Sequence, residues 1–206
     1  MPGNNQEQKV PQTICGILLA AGQSKRFGHA DKLLQPLSNG LPLITQTVRT
    51  MLTVLDTVMV VVPPEHEALA KLLNDEAVHL TINPEANIGM GNSLACGVTA
   101  TSDALGWIIC LADMPWIQAT TLNKVMTALQ NGHALVAPRY QNLRGHPVGF
   151  SREYRETLMN LQGDVGARSV VKQHKAQLQY LDVNDPGILL DVDTPADLLP
   201  PRILNV

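Results

Sequence analysis

The chain has 206 residues, of which 45% are hydrophobic and only 3% aromatic, and its formal net charge is -3. This length suits one domain, since domains commonly run to about 100–200 residues. Its lysines and arginines form no cluster that would indicate a nucleic-acid-binding face. No apolar run reaches the ~20 residues that a membrane helix needs. The composition therefore excludes nucleic acid and membrane from the predicted partners and leaves small ligands.

The N-terminal segment and the cysteines bear on domain boundaries and location. Residues 1–12 are polar, contain two prolines and lack the apolar stretch of a signal peptide. We expect a flexible lead-in over 1–12 and a single domain over 13–206. The three cysteines, Cys15, Cys96 and Cys110, lie in apolar segments without metal-site spacing, which predicts buried thiols. A cytoplasmic location is the expectation that follows.

Apolar runs and helical patterns alternate along the chain. In chain order, the patterns predict a strand at 13–20, a helix at 41–54, a strand at 57–62, a helix at 65–73, a strand at 78–82, a helix at 93–100, a strand at 107–111, a helix at 119–130 and a strand at 134–137. After Pro138 the pattern is less regular. It predicts a strand at 147–150, short helices at 152–161 and 166–172, a strand at 178–183 and a closing segment at 188–199. This alternation predicts an α/β fold with a mostly parallel central sheet and helices on both faces.

The first predicted strand ends in a turn of small and basic residues, LLAAGQSKRFG at 18–28. The small residues at 20–22 let backbone N–H groups approach a phosphate chain, and Ser24 can add a hydroxyl donor. Arg26 and Lys32 bring two positive charges to the same turn. A triphosphate site needs this combination, because negative charge builds on the leaving pyrophosphate. The alternative is an ordinary glycine turn with solvated basic side chains.

Asp113 follows the apolar run WIICLA and precedes Met114 and Pro115. A carboxylate at the tip of a hydrophobic strand is costly to bury unpaired, so a metal or a positive partner is predicted. Mg²⁺ typically takes one or two carboxylates together with phosphate oxygens, which suits a nucleotide site. The alternative is that Asp113 caps the helix that follows.

A second group of carboxylates lies near the C-terminus, in the sequence DVDTPAD at 191–197. Alternation along an extended segment puts Asp191 and Asp193 on the same side, so that one of them is a candidate second metal ligand. The same residues also suit a helix-capping turn, with Asp193 or Thr194 at the cap and Pro195 at the first helical position. Capping uses one residue and leaves the other free, so both interpretations stay open.

These segments together resemble the molybdenum-cofactor nucleotidyltransferase family, within the wider group of Rossmann-like nucleotidyltransferases. The resemblance spans about residues 14–198 and is carried by motifs in a fixed order: LAAGQSKRFG at 19–28 with DKLL at 31–34, GMGNSL at 89–94, LADMP at 111–115, GHPV at 145–148, GDVGAR at 163–168 and DVDTPAD at 191–197. Each motif is modest alone, and their order makes the signal strong. A Rossmann-like nucleotidyltransferase fold is the implied architecture.

The resemblance also implies roles for individual residues. The nucleotide would be held by Leu19, Ala20, Ala21, Gly22, Ser24, Gly89 and Ser93. Arg26 and Lys32 would be catalytic, stabilising the triphosphate and the transition state. Asp113 and Asp193 would hold Mg²⁺, with Asp191 as the alternative second ligand. His146 and Arg168 would contact the acceptor, although a structural histidine and an exposed arginine at a helix start are the alternatives.

Within the family, the two-alanine form LAAG is typical of members that use CTP. The implied reaction transfers CMP from CTP to a molybdopterin-type cofactor and releases pyrophosphate, with a molybdenum hydroxylase as a possible downstream partner. The alternatives are a GTP-dependent guanylyltransferase, a cytidylyltransferase for another phosphorylated acceptor, and a non-catalytic carrier that hands the cofactor to a hydroxylase. A nicotinamide-dependent oxidoreductase is disfavoured, because the chain has no dinucleotide fingerprint.

Overall fold

The structure is a computed structural model that describes residues 13–21, 27, 31–64 and 66–200. Gly22, Ser24 and Arg26 of the first motif lie outside the described residues. The strands are β1 Ile14–Leu19, β2 Val58–Val62, β3 His79–Ile82, β4 Gly106–Leu111, β5 Leu135–Tyr140, β6 Leu143–Arg144, β7 Val148–Ser151 and β8 Leu178–Asp182. The α-helices are α1 Leu43–Leu52, α2 Glu67–Leu73, α3 Met90–Ala100, α4 Ala119–Gln130, α5 Arg155–Met159 and α6 Ala167–Gln173.

Within these residues the strands form one sheet in the order β3-β2-β1-β4-β7-β5-β6, with β8 also paired to β5. The neighbours β3, β2, β1 and β4 are parallel, as are β5 and β8. The short strands β6 and β7 run antiparallel to β5, and β7 also runs antiparallel to β4. The prediction of a mostly parallel sheet is therefore confirmed, and the antiparallel insertion between β4 and β5 is an addition to it.

The two faces of the sheet are covered by different helices. Along β1, the side chains of Leu18 and Ala20 pack with α1 and α4, whereas Ile17 and Leu19 pack with α3, α5 and α6. This alternation follows from the period of two in a β-strand. Aliphatic side chains dominate both halves of the core, with Trp107 and Phe150 as its largest fully buried members. No helix in the described part of the chain is long and apolar enough to span a membrane.

Strand β5 continues to Tyr140, whereas the sequence predicted its end before Pro138. The carbonyl of Pro138 accepts a hydrogen bond from the N–H of Gly145 at 3.0 Å. The nitrogen and carbonyl of an extended residue point to the same side, so the missing N–H of Pro138 faces the break between β6 and β7. No ladder bond is lost at that break, and the strand tolerates the proline.

The prediction of three buried thiols holds for two of them. Cys15 and Cys110 are buried and Cys96 is partly exposed, although all three are free. Cys96 lies on α3, where its sulfur is 3.6 Å from the hydroxyl oxygen of Thr81 on the edge strand β3. Because β3 has a sheet neighbour among the described strands only on the β2 side, the thiol beside it stays half open to solvent.

Asp185 is a buried carboxylate that ties the C-terminal segment to the start of α4. Its Oδ2 accepts hydrogen bonds from Gln118 N at 2.9 Å and Thr121 Oγ1 at 2.6 Å, and its Oδ1 accepts from Gly187 N at 3.0 Å. We expect Asp185→Ala to lower the free energy of unfolding by about 2–3 kcal/mol, because it strands buried donors. Urea denaturation measures the change. The exposed Asp75→Ala serves as control, and equal losses in both variants would contradict the interpretation.

Candidate active site

The candidate site lies at the carboxyl ends of β1 and β4. These two strands are neighbours, with Leu19 paired to Leu111, and Ala112 N donates to Leu19 O at 3.1 Å just beyond the ladder. After β1 the chain continues to β2, which lies on one side of the β1–β4 pair. After β4 it continues to β5, which lies on the other side, so the direction in which strands are added reverses here. Such a reversal opens a crevice at the sheet edge, which is where ligands bind in open α/β sheets.

Lys32 and Asp113 meet in this crevice although 81 residues separate them. The carboxylate of Asp31 accepts from Leu33 N at 3.0 Å and thereby begins the 3₁₀ turn that carries Lys32. The lysine is 9% exposed, and its Nζ lies 2.9 Å from Asp113 Oδ2 and 3.8 Å from Asp193 Oδ1. The positive partner predicted for Asp113 is therefore Lys32. Asp113 does not cap the next helix, since Gln118 is the cap residue of α4.

Three carboxylates converge beside this lysine. The N–H of Val192 donates to the carbonyl of Asp113 at 2.8 Å, which brings the C-terminal segment against the end of β4. As a result, carboxylate oxygens of Asp113, Asp191 and Asp193 all lie within 4.8 Å of one another. Mg²⁺ takes oxygen ligands at about 2.0–2.1 Å in octahedral geometry, so adjacent ligands are about 3 Å apart and opposite ones about 4 Å. The residues present have the right chemistry for a small divalent cation, and their side chains would have to move closer together to hold one.

The remaining carboxylate of this segment, Asp197, has a different task. Its Oδ2 accepts hydrogen bonds from Asp193 N at 3.1 Å, Thr194 N at 2.7 Å and Thr194 Oγ1 at 2.8 Å. These bonds, those from Thr194 foremost, lower the pKa of the Asp197 carboxyl. Thr194 caps a 3₁₀ turn that begins at Pro195. The predicted capping turn is therefore present, and it leaves the Asp191 and Asp193 side chains directed at Asp113. The second metal ligand stays a prediction that this geometry permits.

A cleft of about 450 Å³ opens next to the carboxylates. Its lining combines the end of β1, the segment before α3 and the loop before α6: Leu19, Ala21, Ala86, Asn87, Ile88, Gly89, Met90, Ser93, Leu111, Asp113 and Asp164. Four of the predicted nucleotide-binding residues are in this set. The fifth described one, Ala20, packs in the core, and its N–H donates to Val61 O at 3.0 Å. The N–H of Ala20 is therefore occupied by the sheet.

The start of α3 is locked to the loop before α6. Gly89 has φ +152°, and a Cβ placed on it would lie 2.2 Å from the carbonyl carbon of Gly163. Gly91 N donates to Gly163 O at 2.8 Å, and Asn92 Oδ1 accepts from Gly163 N at 2.6 Å. A side chain at position 89 is excluded both by φ and by this close approach. The glycine motif thus joins two walls of the cleft.

Ser93 faces the cleft from the first turn of α3 and is 3% exposed. Its Oγ accepts from Asn83 Nδ2 at 3.0 Å, and Asn83 Oδ1 accepts from Glu85 N at 3.0 Å. Asn83 was not singled out from the sequence, although a polar residue directly after a strand and before Pro84 was the available signal. Asp164, which also lines the cleft, belongs to the GDVGAR motif at 163–168, of which only Arg168 was singled out from the sequence.

His146 lies in the segment between β6 and β7 and is partly buried. Its backbone N–H donates to Ile188 O at 2.9 Å, and its Nδ1 is buried without a hydrogen-bond partner among the described residues. Burial, assisted by the charge of Arg144, lowers the pKa of His146 to about 4, against an opposing influence of Asp113. The imidazole is therefore neutral at pH 7. Arg168 lies in the first turn of α6, within electrostatic reach of Arg144.

We expect the depressed pKa of His146 to make the fold acid-sensitive. The folded-state pKa of about 4 lies below the ordinary value of 6.5. Above pH 6.5 both states are neutral, and as the pH falls towards 4 the unfolded state gains protons first and the folded state loses stability. Between pH 7 and 4.5, His146→Gln should therefore lose about 2 kcal/mol less unfolding free energy than the wild type. Denaturant titrations at each pH measure this, with the exposed His133→Gln as control, and parallel profiles for wild type and His146→Gln would contradict the assignment.

Comparison with known proteins agrees with this geometry. Residues 16–178 match the MobA-like NTP transferase domain. The nicotine blue oxidoreductase of Paenarthrobacter nicotinovorans is 29% identical over 190 residues, which cover 88% of this chain and 92% of that protein. A molybdenum cofactor guanylyltransferase of Mesorhizobium japonicum is 25% identical over 204 residues, which cover 90% and 92%.

Solved structures with the same fold include Rv0371c from Mycobacterium tuberculosis H37Rv, at 26% identity and a TM-score of 0.76, covering 90% of this chain and 95% of that one. A complex of Rv0371c with manganese superposes with the same TM-score at 24% identity and the same coverage. The family match takes in most of the chain, from within β1 to the first residue of β8. This protein belongs to the MobA-like NTP transferase family and is a nucleotidyltransferase.

Proposed function

We propose that this protein transfers CMP from CTP to a phosphate of a molybdopterin-type acceptor, with Mg²⁺ as its cofactor. An oxygen of the acceptor phosphate attacks the α-phosphorus of CTP, the bond between that phosphorus and the bridging oxygen breaks, and pyrophosphate leaves. The observation that carries the proposal is the cluster of Lys32, Asp113, Asp191 and Asp193 at the mouth of the cleft. A nucleotide in the cleft has its phosphates beside this cluster.

The carboxylates supply the metal site in this proposal. Asp113 and Asp193, with Asp191 as a third donor, offer the hard oxygen ligands that Mg²⁺ prefers. When bound, the metal would neutralise phosphate charge and orient the α-phosphate. The manganese complex of Rv0371c supports a divalent cation for this family.

Lys32 supplies the fixed positive charge. Its ammonium is almost buried and lies among the carboxylates, so it stabilises negative charge at the mouth of the cleft more strongly than an exposed lysine would. Arg26 is proposed as the second cation of the same turn, on the strength of the sequence motif. No general base is required, because the acceptor phosphate is already an anionic nucleophile. Catalysis then rests on alignment and charge neutralisation.

The choice of CTP is supported by the position of Ala21. The family resemblance implies two forms of the motif, LAAG and LAGG, which differ at this residue, and Ala21 lines the cleft. Its methyl group narrows the space at the end of β1, which favours the smaller pyrimidine nucleotide. GTP is the alternative nucleotide, because a relative at 25% identity is the molybdenum cofactor guanylyltransferase of Mesorhizobium japonicum. The substitution Ala21→Gly tests this point, since it should raise the rate of transfer with GTP relative to the rate with CTP.

Pyrophosphate release tests the proposal as a whole. Release should be measured with each of CTP, GTP, ATP and UTP, with Mg²⁺ or Mn²⁺, and with or without molybdenum cofactor. We expect release with CTP that depends on both the metal and the cofactor. Release with GTP alone would establish a guanylyltransferase, and no release with any triphosphate would overturn transfer to this acceptor.

An oxidoreductase is the second candidate, because the relative from Paenarthrobacter nicotinovorans bears that name. The carboxylate cluster favours nucleotidyl transfer, since hydride transfer does not require three converging carboxylates. Oxidation of a reduced nicotinamide dinucleotide, followed in wild type and in Asp113→Ala, separates the two. Cofactor oxidation that survives loss of Asp113, without any pyrophosphate release, would favour the oxidoreductase.

A further inference from the structure

The hydroxyl group of Ser93 differs from that of Thr99, which lies on the same helix. Thr99 donates its hydroxyl proton to the carbonyl of Ala95 at 2.8 Å, the usual bond of a helical hydroxyl to the preceding turn. Ser93 lines the cleft and is 3% exposed, and within the described residues its side chain is hydrogen-bonded to Asn83. No backbone carbonyl of these residues accepts its proton.

The side-chain amide of Asn83 has its orientation fixed by a backbone donor. Asn83 directly follows β3, is 3% exposed, and donates its own N–H to Val62 O at 2.9 Å. Its Oδ1 accepts from Glu85 N at 3.0 Å. Because a backbone N–H can only donate, the oxygen of the amide has to face Glu85 and the NH₂ group has to face Ser93. Nδ2 accordingly lies 3.0 Å from Ser93 Oγ.

This orientation of the amide fixes the direction of the Ser93 hydroxyl. An asparagine NH₂ group only donates, so Ser93 Oγ has to accept from it, and the hydroxyl proton has to be donated elsewhere. Ser93 lines the cleft, and the described residues offer this proton no acceptor. A buried O–H without an acceptor costs free energy, which an oxygen or nitrogen atom of a ligand in the cleft would recover.

The presence of asparagine rather than aspartate at position 83 supports the same interpretation. The turn that Asn83 closes with Glu85 needs only an acceptor oxygen, and an aspartate supplies one equally well. What the amide adds is a donor for Ser93. A buried NH₂ group is costly without a partner, and the partner here is a residue of the cleft.

We propose that Asn83 is a positioning residue that makes Ser93 a hydrogen-bond donor to the nucleotide in the cleft. The nucleotide atom that Ser93 meets is then an acceptor: a carbonyl oxygen or unprotonated ring nitrogen of the base, or an oxygen of the ribose. The proposal rests on the proposed function in taking the ligand of the cleft to be a nucleotide. It applies to CTP and GTP alike, since both carry such acceptors.

The alternative is that the bond between Asn83 and Ser93 only anchors α3 to the end of β3. The near-isosteric variant Asn83→Asp separates the two interpretations. Its carboxylate would accept from Glu85 N with one oxygen and from the Ser93 hydroxyl with the other, so the anchor is kept and the direction of the bond is reversed. The lone pairs of Ser93, instead of its proton, would then face the cleft.

Calorimetric titration with CTP and with GTP, each with Mg²⁺, tests the proposal. For each nucleotide that the wild type binds, we expect Asn83→Asp and Ser93→Ala to bind about tenfold more weakly, because a hydrogen bond to the ligand is lost. The double variant should bind within about twofold of Ser93→Ala, since without the hydroxyl the residue at position 83 has no group to orient. Thr99→Ala is the matched control and should bind as the wild type does.

The double variant also separates this effect from the charge of the new carboxylate. Repulsion between that carboxylate and the phosphates would weaken binding by the same factor with and without the Ser93 hydroxyl, and this result would overturn the proposal. So would wild-type affinity in Asn83→Asp or in Ser93→Ala, or a wild type that binds neither nucleotide. Thermal unfolding checks the fold. If Asn83→Asp unfolds, equal affinity of Ser93→Ala and Thr99→Ala still overturns the proposal.

Deoxy analogues identify the atom that accepts from Ser93. If it is a ribose oxygen, the loss caused by Ser93→Ala disappears with 2′-deoxy-CTP or with 3′-deoxy-CTP, and if it belongs to the base, the loss remains with both. Binding is measured without turnover, so nucleotide binding without pyrophosphate release would contradict the proposed transfer and leave this inference standing. Where transfer is observed, Asn83→Asp should raise the KM for the nucleotide and leave the KM for the acceptor unchanged.

Discussion

Replacement of Asp113 by alanine is expected to abolish metal-dependent nucleotidyl transfer, with a loss of at least about 10³-fold, or about 4 kcal/mol of transition-state stabilisation. Asp113 contacts Lys32 and shares the candidate metal site with Asp191 and Asp193. Its loss removes one of three candidate metal ligands and the partner of an almost buried ammonium. Pyrophosphate release at saturating Mg²⁺ measures the effect, and calorimetric titration with Mn²⁺ measures the loss of metal affinity.

The fold should survive this change, since the backbone carbonyl of Asp113 that binds Val192 remains. Circular dichroism and thermal unfolding check this. Asp113→Asn keeps the shape and removes the charge, so it should lose activity as Asp113→Ala does. The exposed Asp75→Ala is the matched control. Full activity in either Asp113 variant would remove this residue from the metal site, and Asp191→Ala beside Asp193→Ala would then show which other carboxylates bind it.

Lys32→Ala is expected to change turnover and metal affinity in opposite directions. The transfer rate should fall at least about 100-fold, because a fixed positive charge at the developing pyrophosphate is lost. Metal binding should be as tight as in the wild type or tighter, since the ammonium 2.9 Å from Asp113 and 3.8 Å from Asp193 no longer competes with the cation. Mn²⁺ titration and steady-state pyrophosphate release are the two measurements.

A merely structural lysine would give a different pattern. Loss of Lys32 would then unfold the protein or abolish metal binding together with activity. The exposed Lys71→Ala controls for net charge and should match the wild type in both measurements. Addition of Mn²⁺ should raise the unfolding temperature of Lys32→Ala more than that of the wild type, because the cation replaces the missing countercharge of the carboxylates.

Most of the fold was predictable because its elements have strong local patterns. Helix α4 was predicted at 119–130 and occupies Ala119–Gln130, and the parallel strands β1 to β4 were each placed within one residue, whereas β5 extends three residues past its predicted end. The antiparallel strand β7 was predicted at 147–150 and occupies Val148–Ser151, whereas β6 was missed. The two-residue β6 has no pattern of its own, and it exists because β5 offers it a partner. Pro138 was a misleading signal for the end of β5. Whether a strand tolerates a proline depends on the neighbouring strand, and here the proline nitrogen faces the break between β6 and β7.

The candidate site was predictable where residue type and strand ends coincided. Asp113 follows from this rule, whereas the 191–193 segment was singled out as a cluster of carboxylates, and the structure brings the two together. The pairing of Lys32 with Asp113 could not be predicted in this way, because it is a contact between residues 81 positions apart. Asp185 and Asn83 were missed since the burial of a polar side chain depends on donors that only the folded chain assembles.

The contact of Gly89 with Gly163 has a consequence for chimeric proteins. The start of α3 and the loop before α6 touch through bare backbone, with two hydrogen bonds beside the contact. Neither segment has room to shift by even the size of a methyl group unless the other moves too. A chimera that took the 162–166 loop from a relative, in order to exchange the acceptor, would therefore have to take the relative's 89–92 segment with it. If only one of the two segments were exchanged, its backbone would not fit against the other segment, which would still have the conformation of this protein.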